Sequence, residues 1–447
     1  MNKRIYTVIL SLLLMVLMLT GCDMDSLVLS ALSDAINATQ QTNTTSGTAN
    51  TTQSPNSSDN GNGQQNIQQT IIQNNISITG GTQDSAYATA AGLRSAVSIY
   101  CTFETTYNSG WPGMQRPTTY SYYTTGSGVI YRLEENGSAF IVTNFHVVYD
   151  SSSSTANHVS DQIYIYLYGL EDDAYAIPAT YVGGSSNYDI AVLYVEESPV
   201  LQDAVASGAA AAVTLGQERD IQPGMSTIAI GNPSSSTTEL GGISVTQGII
   251  SVASEYITMS ASDTGKDVQM RLIRTDTPVN PGNSGGGLFN LKGQMVGIVN
   301  AKISSSDLEN IGYAIPVSVV QGVADNIIDY CFSTETESVM RCLLGITVST
   351  TELSTGYDSE TGTFLRTETL TIQQISADSL ADGILQAGDV LISAAIGNQT
   401  TEITRQYHLI DFMLNARVGN CVTFTILRDG TEMTVQITVT EDCLTAY

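Results

Sequence analysis

A serine inside a glycine-rich segment is the strongest chemical signal in the chain. Ser284 lies in the segment NPGNSGGGL, residues 280–288. A serine hydroxyl becomes a nucleophile when it is exposed, lies beside a base and has backbone N–H groups near the oxyanion that forms. Neighbouring glycines permit the tight turn and leave room for a substrate carbonyl. A plain glycine-rich turn between strands has the same composition, so this segment needs partners elsewhere in the chain.

A base and an acid are available at two distant positions. The chain contains three histidines, of which His146 directly follows an apolar run that is typical of a strand. Asp189 opens a second apolar run, where an unpaired carboxylate would be costly to bury. Orienting an imidazole would give this carboxylate a partner. A histidine beside an apolar strand is more often structural, but the three residues together predict a Ser284, His146 and Asp189 catalytic triad.

The elements that must position these residues are short and rich in β-formers. Strand-like runs of four to seven residues, separated by turns, favour barrels or a sandwich. They are Val97–Phe103, Gly128–Arg132, Ala139–Thr143, Gln162–Tyr168, Ile190–Val195, Met225–Ile230, Ile249–Val252, Arg271–Thr275 and Met295–Val299. Helices are predicted at Ala86–Leu93 and Val317–Tyr330.

A second module follows Arg341. Its predicted strands are Leu344–Thr350 and Thr367–Ile375, with a helix at Thr404–Asn415. A final hairpin, Val422–Leu427 and Met433–Val439, turns at Asp429-Gly430, which is a favoured pair in tight turns.

Three segments in the order His, Asp, Ser resemble the signature blocks of HtrA/Deg-type chymotrypsin-like serine proteases. They are TNFHVV at 143–148, DIAVL at 189–193 and the segment around Ser284. The resemblance implies a mainly β fold, with a chymotrypsin-like double β-barrel over residues 86–332. It implies that Ser284 attacks the scissile carbonyl, that His146 transfers the proton and that Asp189 orients the imidazole. It also implies an oxyanion hole formed by the N–H groups of Gly282, Asn283 and Ser284, and no metal or organic cofactor.

Residues 341–442 are similar to the PDZ domains that follow the protease in this family. Leu344, Gly345 and Ile346 look like a carboxylate-binding loop, and residues 381–391 resemble a later segment of such domains. Consecutive N–H groups in this loop could bind the carboxylate of a peptide C-terminus, while an adjacent strand edge pairs with the peptide. An ordinary hairpin domain with a covered edge is the alternative.

The N-terminus predicts export and anchoring. Lys3 and Arg4 precede an apolar run that is too short to span a bilayer comfortably, so residues 1–21 are predicted to be a secretory signal peptide. The segment LTGC, which ends at Cys22, resembles a bacterial lipoprotein box and implies lipidation of Cys22. Residues 22–85 are rich in Asn, Thr, Ser and Gln and predict a disordered tether. The resulting expectation is an extracytoplasmic protein that is lipid-anchored to the bacterial cell membrane, and an uncleaved anchor helix is the alternative.

Net charge and cysteine spacing bear on the binding partners, metal sites and disulfides of the protein. A net charge of −27 makes nucleic acid an unfavourable partner. Apart from Cys22, the chain has Cys101, Cys331, Cys342, Cys421 and Cys443. No pair has metal-site spacing; Cys331/Cys342 and Cys421/Cys443 are the closest in sequence, and connectivity stays open.

Two functional hypotheses follow. The first is a PDZ-regulated endopeptidase that hydrolyses unfolded or damaged extracytoplasmic proteins in protein quality control, and the family resemblance also implies a homotrimer. The second is a proteolytically latent peptide-binding sensor or holdase on the same fold. Two departures from the family motivate it: Ser234–Ser236, where a glycine is usual, and a long insert at Thr106–Thr125.

Overall fold

The computed structural model describes residues 84–109, 116–233, 242–301, 311–332, 338–360 and 362–447. The predicted signal peptide, Cys22 and nearly all of the predicted tether lie outside these ranges. Helix α1 spans Ser85–Leu93 and is capped by Asp84, whose side chain accepts a hydrogen bond from the Tyr87 N–H. Ser85, which was predicted as the last tether residue, is therefore helical. No helix within the described ranges is both long and apolar enough to cross a membrane.

The first half of the protease-like region forms a closed antiparallel barrel. Its strands are β1 (Ala96–Ser109), β2 (Arg116–Leu133), β3 (Ala139–Thr143), β4 (Gln162–Leu167), β5 (Ile177–Ser185) and β6 (Ile190–Val195), in the order β1-β2-β3-β6-β5-β4. Two helices accompany it, α2 (Phe145–Val148) and α3 (Pro199–Ala206). Phe103, Ile141 and Leu193 are fully buried inside it. We call this sheet barrel 1.

The described residues of the predicted insert Thr106–Thr125, which are 106–109 and 116–125, all belong to strands β1 and β2. Strands β1 and β2 stay paired far beyond the barrel, for example Thr106 with Thr119 and Tyr107 with Thr118. Trp111 lies outside the described residues. Threonine and tyrosine residues, which are frequent in this segment, favour such a two-stranded arm.

The second half of the protease-like region forms another closed barrel, which we call barrel 2. Its strands are β7 (Ser226–Gly231), β8 (Ser244–Ser260), β9 (Asp267–Thr275), β10 (Gly287–Asn290), β11 (Met295–Val299) and β12 (Gly312–Pro316), in the order β10-β11-β12-β9-β8-β7. Helix α4, Val317–Tyr330, follows directly. Gly92 on helix α1 packs closely against Ile230 and Phe289 of this barrel. Two closed barrels resolve the choice between barrel and sandwich that composition had left open.

The C-terminal domain combines a sheet with one helix. Its elements are β13 (Met340–Cys342), β14 (Ile346–Asp358), β15 (Thr363–Ile375), β16 (Val390–Ile396), β17 (Gln399–Glu402), α5 (Gln406–Leu414), β18 (Cys421–Arg428), β19 (Thr431–Thr438) and β20 (Leu444–Ala446). The main sheet runs β14-β15-β16-β18-β19, so β14 is an edge strand, and β13 pairs separately with β20. Positive φ angles of 51° at Asp429 and 77° at Gly430 form the predicted hairpin turn.

A buried ionic cluster joins this domain to barrel 2. Arg271 on β9 donates hydrogen bonds to Glu218 (2.7 Å) and to Ser318 (2.7 Å), and it forms a short ion pair with Asp411 on α5. The ring of Tyr407 covers the guanidinium, with 4.2 Å between Cζ and the ring centroid. Burial raises the pKa of Asp411 to about 6, although Arg271 opposes that shift. Breaking such a buried pair is strongly destabilising, so the cluster fixes the position of α5 against barrel 2.

Candidate active site

His146 lies at the start of helix α2, directly after strand β3 of barrel 1. Asn144, which immediately precedes helix α2, donates from Nδ2 to the carbonyl of Asp189 at 2.8 Å. The backbone N–H of His146 donates to Asp189 Oδ1 at 3.0 Å. These two bonds tie the helix to the segment that carries the acid, so the imidazole and the carboxylate are held together by backbone contacts as well as by their side chains.

Asp189 is nearly completely buried, with 2% of its surface exposed, and it immediately precedes strand β6. Its φ angle of 51° lies in the left-handed region, which Asp adopts more readily than most residues. Oδ2 lies 2.7 Å from His146 Nδ1 and accepts a hydrogen bond from Asn300 Nδ2 at 2.9 Å. A buried carboxylate is thus given several donors, which removes the cost of leaving it unpaired.

Ser284 comes from barrel 2, in the connection between β9 and β10. Its Oγ lies 2.9 Å from His146 Nε2, and the Ala301 N–H donates to the same oxygen at 3.2 Å. The following residue, Gly285, has a φ angle of 85°, and a side chain there would collide with the Ser127 carbonyl and the Thr143 hydroxyl. Only glycine therefore lets this loop approach barrel 1 closely enough for the serine to reach the histidine.

The three predicted residues thus form one continuous chain of hydrogen bonds across the cleft between the barrels. An ionised carboxylate only accepts hydrogen bonds, so the proton between Asp189 and His146 belongs on Nδ1. This tautomer leaves Nε2 free to accept the Ser284 hydroxyl proton. The arrangement can therefore convert an ordinary serine hydroxyl into a nucleophile.

The predicted oxyanion donors are only partly available. The backbone N–H groups of Gly282 and Ser284 have no acceptor within the described parts of the chain. The N–H of Asn283 instead donates to the Asn280 carbonyl at 3.0 Å. In this geometry the Asn283 N–H closes a turn and does not point to an oxyanion, so its part in the oxyanion hole stays a prediction. Two donors remain, which is enough to stabilise a developing oxyanion.

Two functional residues escaped the sequence analysis. Fully buried Ser127 on β2 donates to the Gly282 carbonyl at 2.7 Å and accepts from the Asn232 N–H at 2.7 Å. The Ser127 N–H also donates to the Ser284 carbonyl at 2.9 Å. Asn300, the second, holds Asp189. In the sequence, Ser127 is marked by a glycine on either side, and Asn300 is marked as a polar residue at the end of an apolar strand. Neither pattern is specific for a functional residue.

The remaining candidates lie away from this cluster. His158 Nδ1 lies 2.7 Å from the Ser153 carbonyl, while His408 lies on α5 beside Tyr407. Leu344, Gly345 and Ile346 belong to the C-terminal domain. Ser234–Ser236 lie outside the described residues. No group of three or more His, Cys, Asp or Glu side chains in the described ranges could hold a metal ion.

We expect Ser127→Ala to slow the reaction of Ser284 with a fluorophosphonate by about 10- to 100-fold. The change leaves the Gly282 carbonyl and the Asn232 N–H without their buried partner. The free-energy cost is about 1–3 kcal/mol, and it acts on the loop that positions Ser284 for reaction. The second-order labelling rate measures it. Ser98→Ala is a matched control, since Ser98 is also fully buried on β1 but its hydroxyl has no partner within the described structure. Equal labelling rates for wild type and Ser127→Ala would remove Ser127 from the account.

Comparison with known proteins agrees with this geometry. Residues 126–298 match the family described as trypsin-like peptidase domain. The chain is 33% identical over 319 residues to the serine protease Do-like HtrA of Bacillus subtilis, covering 70% of this chain and 62% of that relative. It is 29% identical over 325 residues to the serine protease Do-like HtrA of Lactococcus lactis subsp. cremoris, covering 70% of each.

A third relative is the probable periplasmic serine endoprotease DegP-like of Halomonas elongata. It is 32% identical over 322 residues, covering 70% of this chain and 56% of the relative. The chain thus spans less than two thirds of the Bacillus and Halomonas proteins. His146, Asp189 and Ser284 all lie inside the residues that match the trypsin-like peptidase domain, so the chain carries such a domain and is similar to serine proteases of the HtrA/DegP type.

Proposed function

We propose that this chain is a serine endopeptidase that hydrolyses peptide bonds of unfolded or damaged proteins outside the cytoplasm, in protein quality control. The observation that carries the proposal is the unbroken chain from Asp189 through His146 to Ser284, with distances of 2.7 Å and 2.9 Å. The names of the relatives support the same activity and an extracytoplasmic location.

The proposed reaction follows from the positions of the groups. Ser284 Oγ attacks the scissile carbonyl while His146 Nε2 takes its proton, and the resulting imidazolium is stabilised by Asp189. The oxygen that gains negative charge is bound by the N–H groups of Gly282 and Ser284. His146 then gives the proton to the leaving amine, and water repeats the sequence on the acyl-enzyme. Every proton is carried by one imidazole, so no cofactor is needed for the cycle.

Replacing Ser284 by alanine tests the proposal. We expect hydrolysis of an unfolded protein such as casein to fall by about 10⁶-fold in kcat, as in other complete triads. The melting temperature should hardly change, because the hydroxyl contacts the triad and one N–H and contributes little to the packing of either barrel.

Two results would count against the endopeptidase. Equal cleavage by wild type and Ser284→Ala would place the activity elsewhere or in a contaminant. A folded wild type with no cleavage of any unfolded substrate, but with peptide binding, would favour the latent sensor or holdase.

We further propose that residues 341–442 are a PDZ domain that binds peptide C-termini. Gly345 has a φ angle of 76°, and the N–H groups of Leu344 and Gly345 have no acceptor within the described parts of the chain. The Leu344 carbonyl is fixed by the Ala381 N–H at 3.1 Å. Two adjacent free donors at the start of edge strand β14 suit a carboxylate followed by an added peptide strand.

A peptide pair tests this binding mode. A fluorescein-labelled decapeptide that ends in valine with a free carboxylate should bind the full chain, and its C-terminally amidated twin should bind at least about tenfold more weakly. The difference arises because the amide removes the negative charge that the backbone donors stabilise. Fluorescence anisotropy measures both affinities. Equal affinities would exclude carboxylate recognition by this loop.

The N-terminal segment completes the proposal. Lys3, Arg4 and the apolar run support a signal peptide over residues 1–21, and the LTGC segment supports lipidation of Cys22. Lipid chains at Cys22 and a polar tether that ends before helix α1 would keep the peptidase near a bacterial membrane but clear of its surface. The family resemblance supports a homotrimer. Helix α1 packs on barrel 2 of its own chain, so it would present only its outer face to another subunit.

A further inference from the structure

Two cysteines that are distant in sequence meet in the C-terminal domain. The Sγ atoms of Cys342 and Cys443 lie 3.0 Å apart, although the residues are 101 positions apart in the chain. Cys342 ends β13 and Cys443 directly precedes β20, and these strands pair with Cys342 opposite Leu444. The two thiols therefore face each other because the entry and exit strands of the domain are hydrogen-bonded neighbours.

The backbone around this thiol pair is well fixed. The Leu343 N–H donates to the Cys443 carbonyl at 3.0 Å. On the other side, the Asn326 side chain on α4 bonds the Met340 N–H at 2.8 Å and the Met340 carbonyl at 2.7 Å. Both cysteines are buried, with exposed fractions of 5% and 8%. The pair thus lies where the C-terminal domain contacts helix α4 of the protease-like region.

The other cysteines occupy different surroundings. Cys101 is fully buried in barrel 1, and Cys421 is exposed at the start of β18, opposite Thr438. Cys331 follows α4 and packs against Gly183. Nearness in sequence had grouped Cys342 with Cys331 and Cys443 with Cys421. The pairing of β13 with β20 instead brings Cys342 next to Cys443.

We propose that Cys342 and Cys443 are a disulfide-forming pair that closes the C-terminal domain covalently. The oxidant is a disulfide, either of a thiol oxidoreductase or of a small molecule such as oxidised glutathione. One cysteine thiolate attacks the donor disulfide and releases a donor thiolate, giving a mixed disulfide. The second cysteine thiolate then displaces the remaining donor thiolate. One S–S bond forms in the protein and the S–S bond of the donor breaks, while the two electrons and two protons of the cysteines end on the donor as two thiols.

Burial determines when this bond can form and how long it lasts. It raises the pKa of the Cys342 thiol, so the reactive thiolate is scarce once the domain has closed. The bond therefore forms while the domain is folding and is shielded from reductants afterwards. An oxidising environment is required, and this part rests on the proposed export of the chain. The bond would hold β13 against β20 and so keep the domain joined to α4.

Thiol mapping of the full chain tests the pair directly. The chain is refolded with oxidised glutathione, denatured, alkylated with iodoacetamide and digested. We expect a peptide that links Cys342 to Cys443, and two fewer alkylated cysteines than in a sample reduced beforehand. A bond between other cysteines, or full alkylation after oxidation, would overturn the proposal. Mapping needs no peptidase activity, so a failure here is distinct from a failure of the proposed function, which casein cleavage measures separately.

Thermal unfolding gives a second readout. Refolding in the presence of a reductant, in place of oxidised glutathione, should lower the melting temperature of the C-terminal domain by roughly 5–15 °C. Without the bond the unfolded chain has no closed loop and therefore gains conformational entropy, which favours unfolding. The double variant Cys342→Ser/Cys443→Ser should show no such dependence on reductant, and the matched control Cys421→Ser should keep it. A wild-type melting temperature that does not respond to reductant would contradict a stabilising bond. If the double variant does not fold, the peptide map of the wild type still decides.

Discussion

The active site depends on one chain of hydrogen bonds that crosses the cleft between two separately closed barrels. Asp189 and His146 belong to barrel 1 and Ser284 belongs to barrel 2, so a small shift between the barrels would separate the hydroxyl from the imidazole. The serine loop is therefore held by barrel 1 itself. The Ser127 N–H bonds the Ser284 carbonyl at 2.9 Å, and the Thr143 hydroxyl bonds the Ser127 carbonyl at 2.7 Å. These bonds favour a single position of the serine loop, because a misaligned loop would leave buried polar groups without partners.

Much of this architecture could be predicted from the sequence, since short apolar runs and turn residues report local structure directly. The predicted helix Val317–Tyr330 agrees with the observed bounds, and the predicted strands Ala139–Thr143, Ile190–Val195 and Met295–Val299 do so as well. The predicted triad residues meet because each lies at a fixed offset from one of these elements. Closure of the sheets was not predictable in the same way, because strand order depends on pairing between segments far apart in the chain.

The missed features share this non-local origin. Ser127 and Asn300 act through contacts with residues more than a hundred positions away, so no local pattern marks them. Asn283 differs from these two residues, because its N–H is used locally in a turn bond to the Asn280 carbonyl, whereas its oxyanion role was implied by its place in the motif. The ionic cluster of Arg271 likewise joins two domains. Its partner Asp411 lies on α5, so this contact holds the helix of the C-terminal domain against barrel 2.

The most direct test of the cross-barrel chain is the proton that joins its first two members. The chain has three histidines, so selective ¹⁵N-histidine labelling gives a simple spectrum. At low temperature we expect a strongly downfield Nδ1 proton from His146, because a buried carboxylate accepts it at 2.7 Å. The signal should vanish in Asp189→Ala and remain in His158→Ala, which removes the imidazole bonded to Ser153. A downfield signal that survives in Asp189→Ala, or its absence in the folded wild type, would contradict the account.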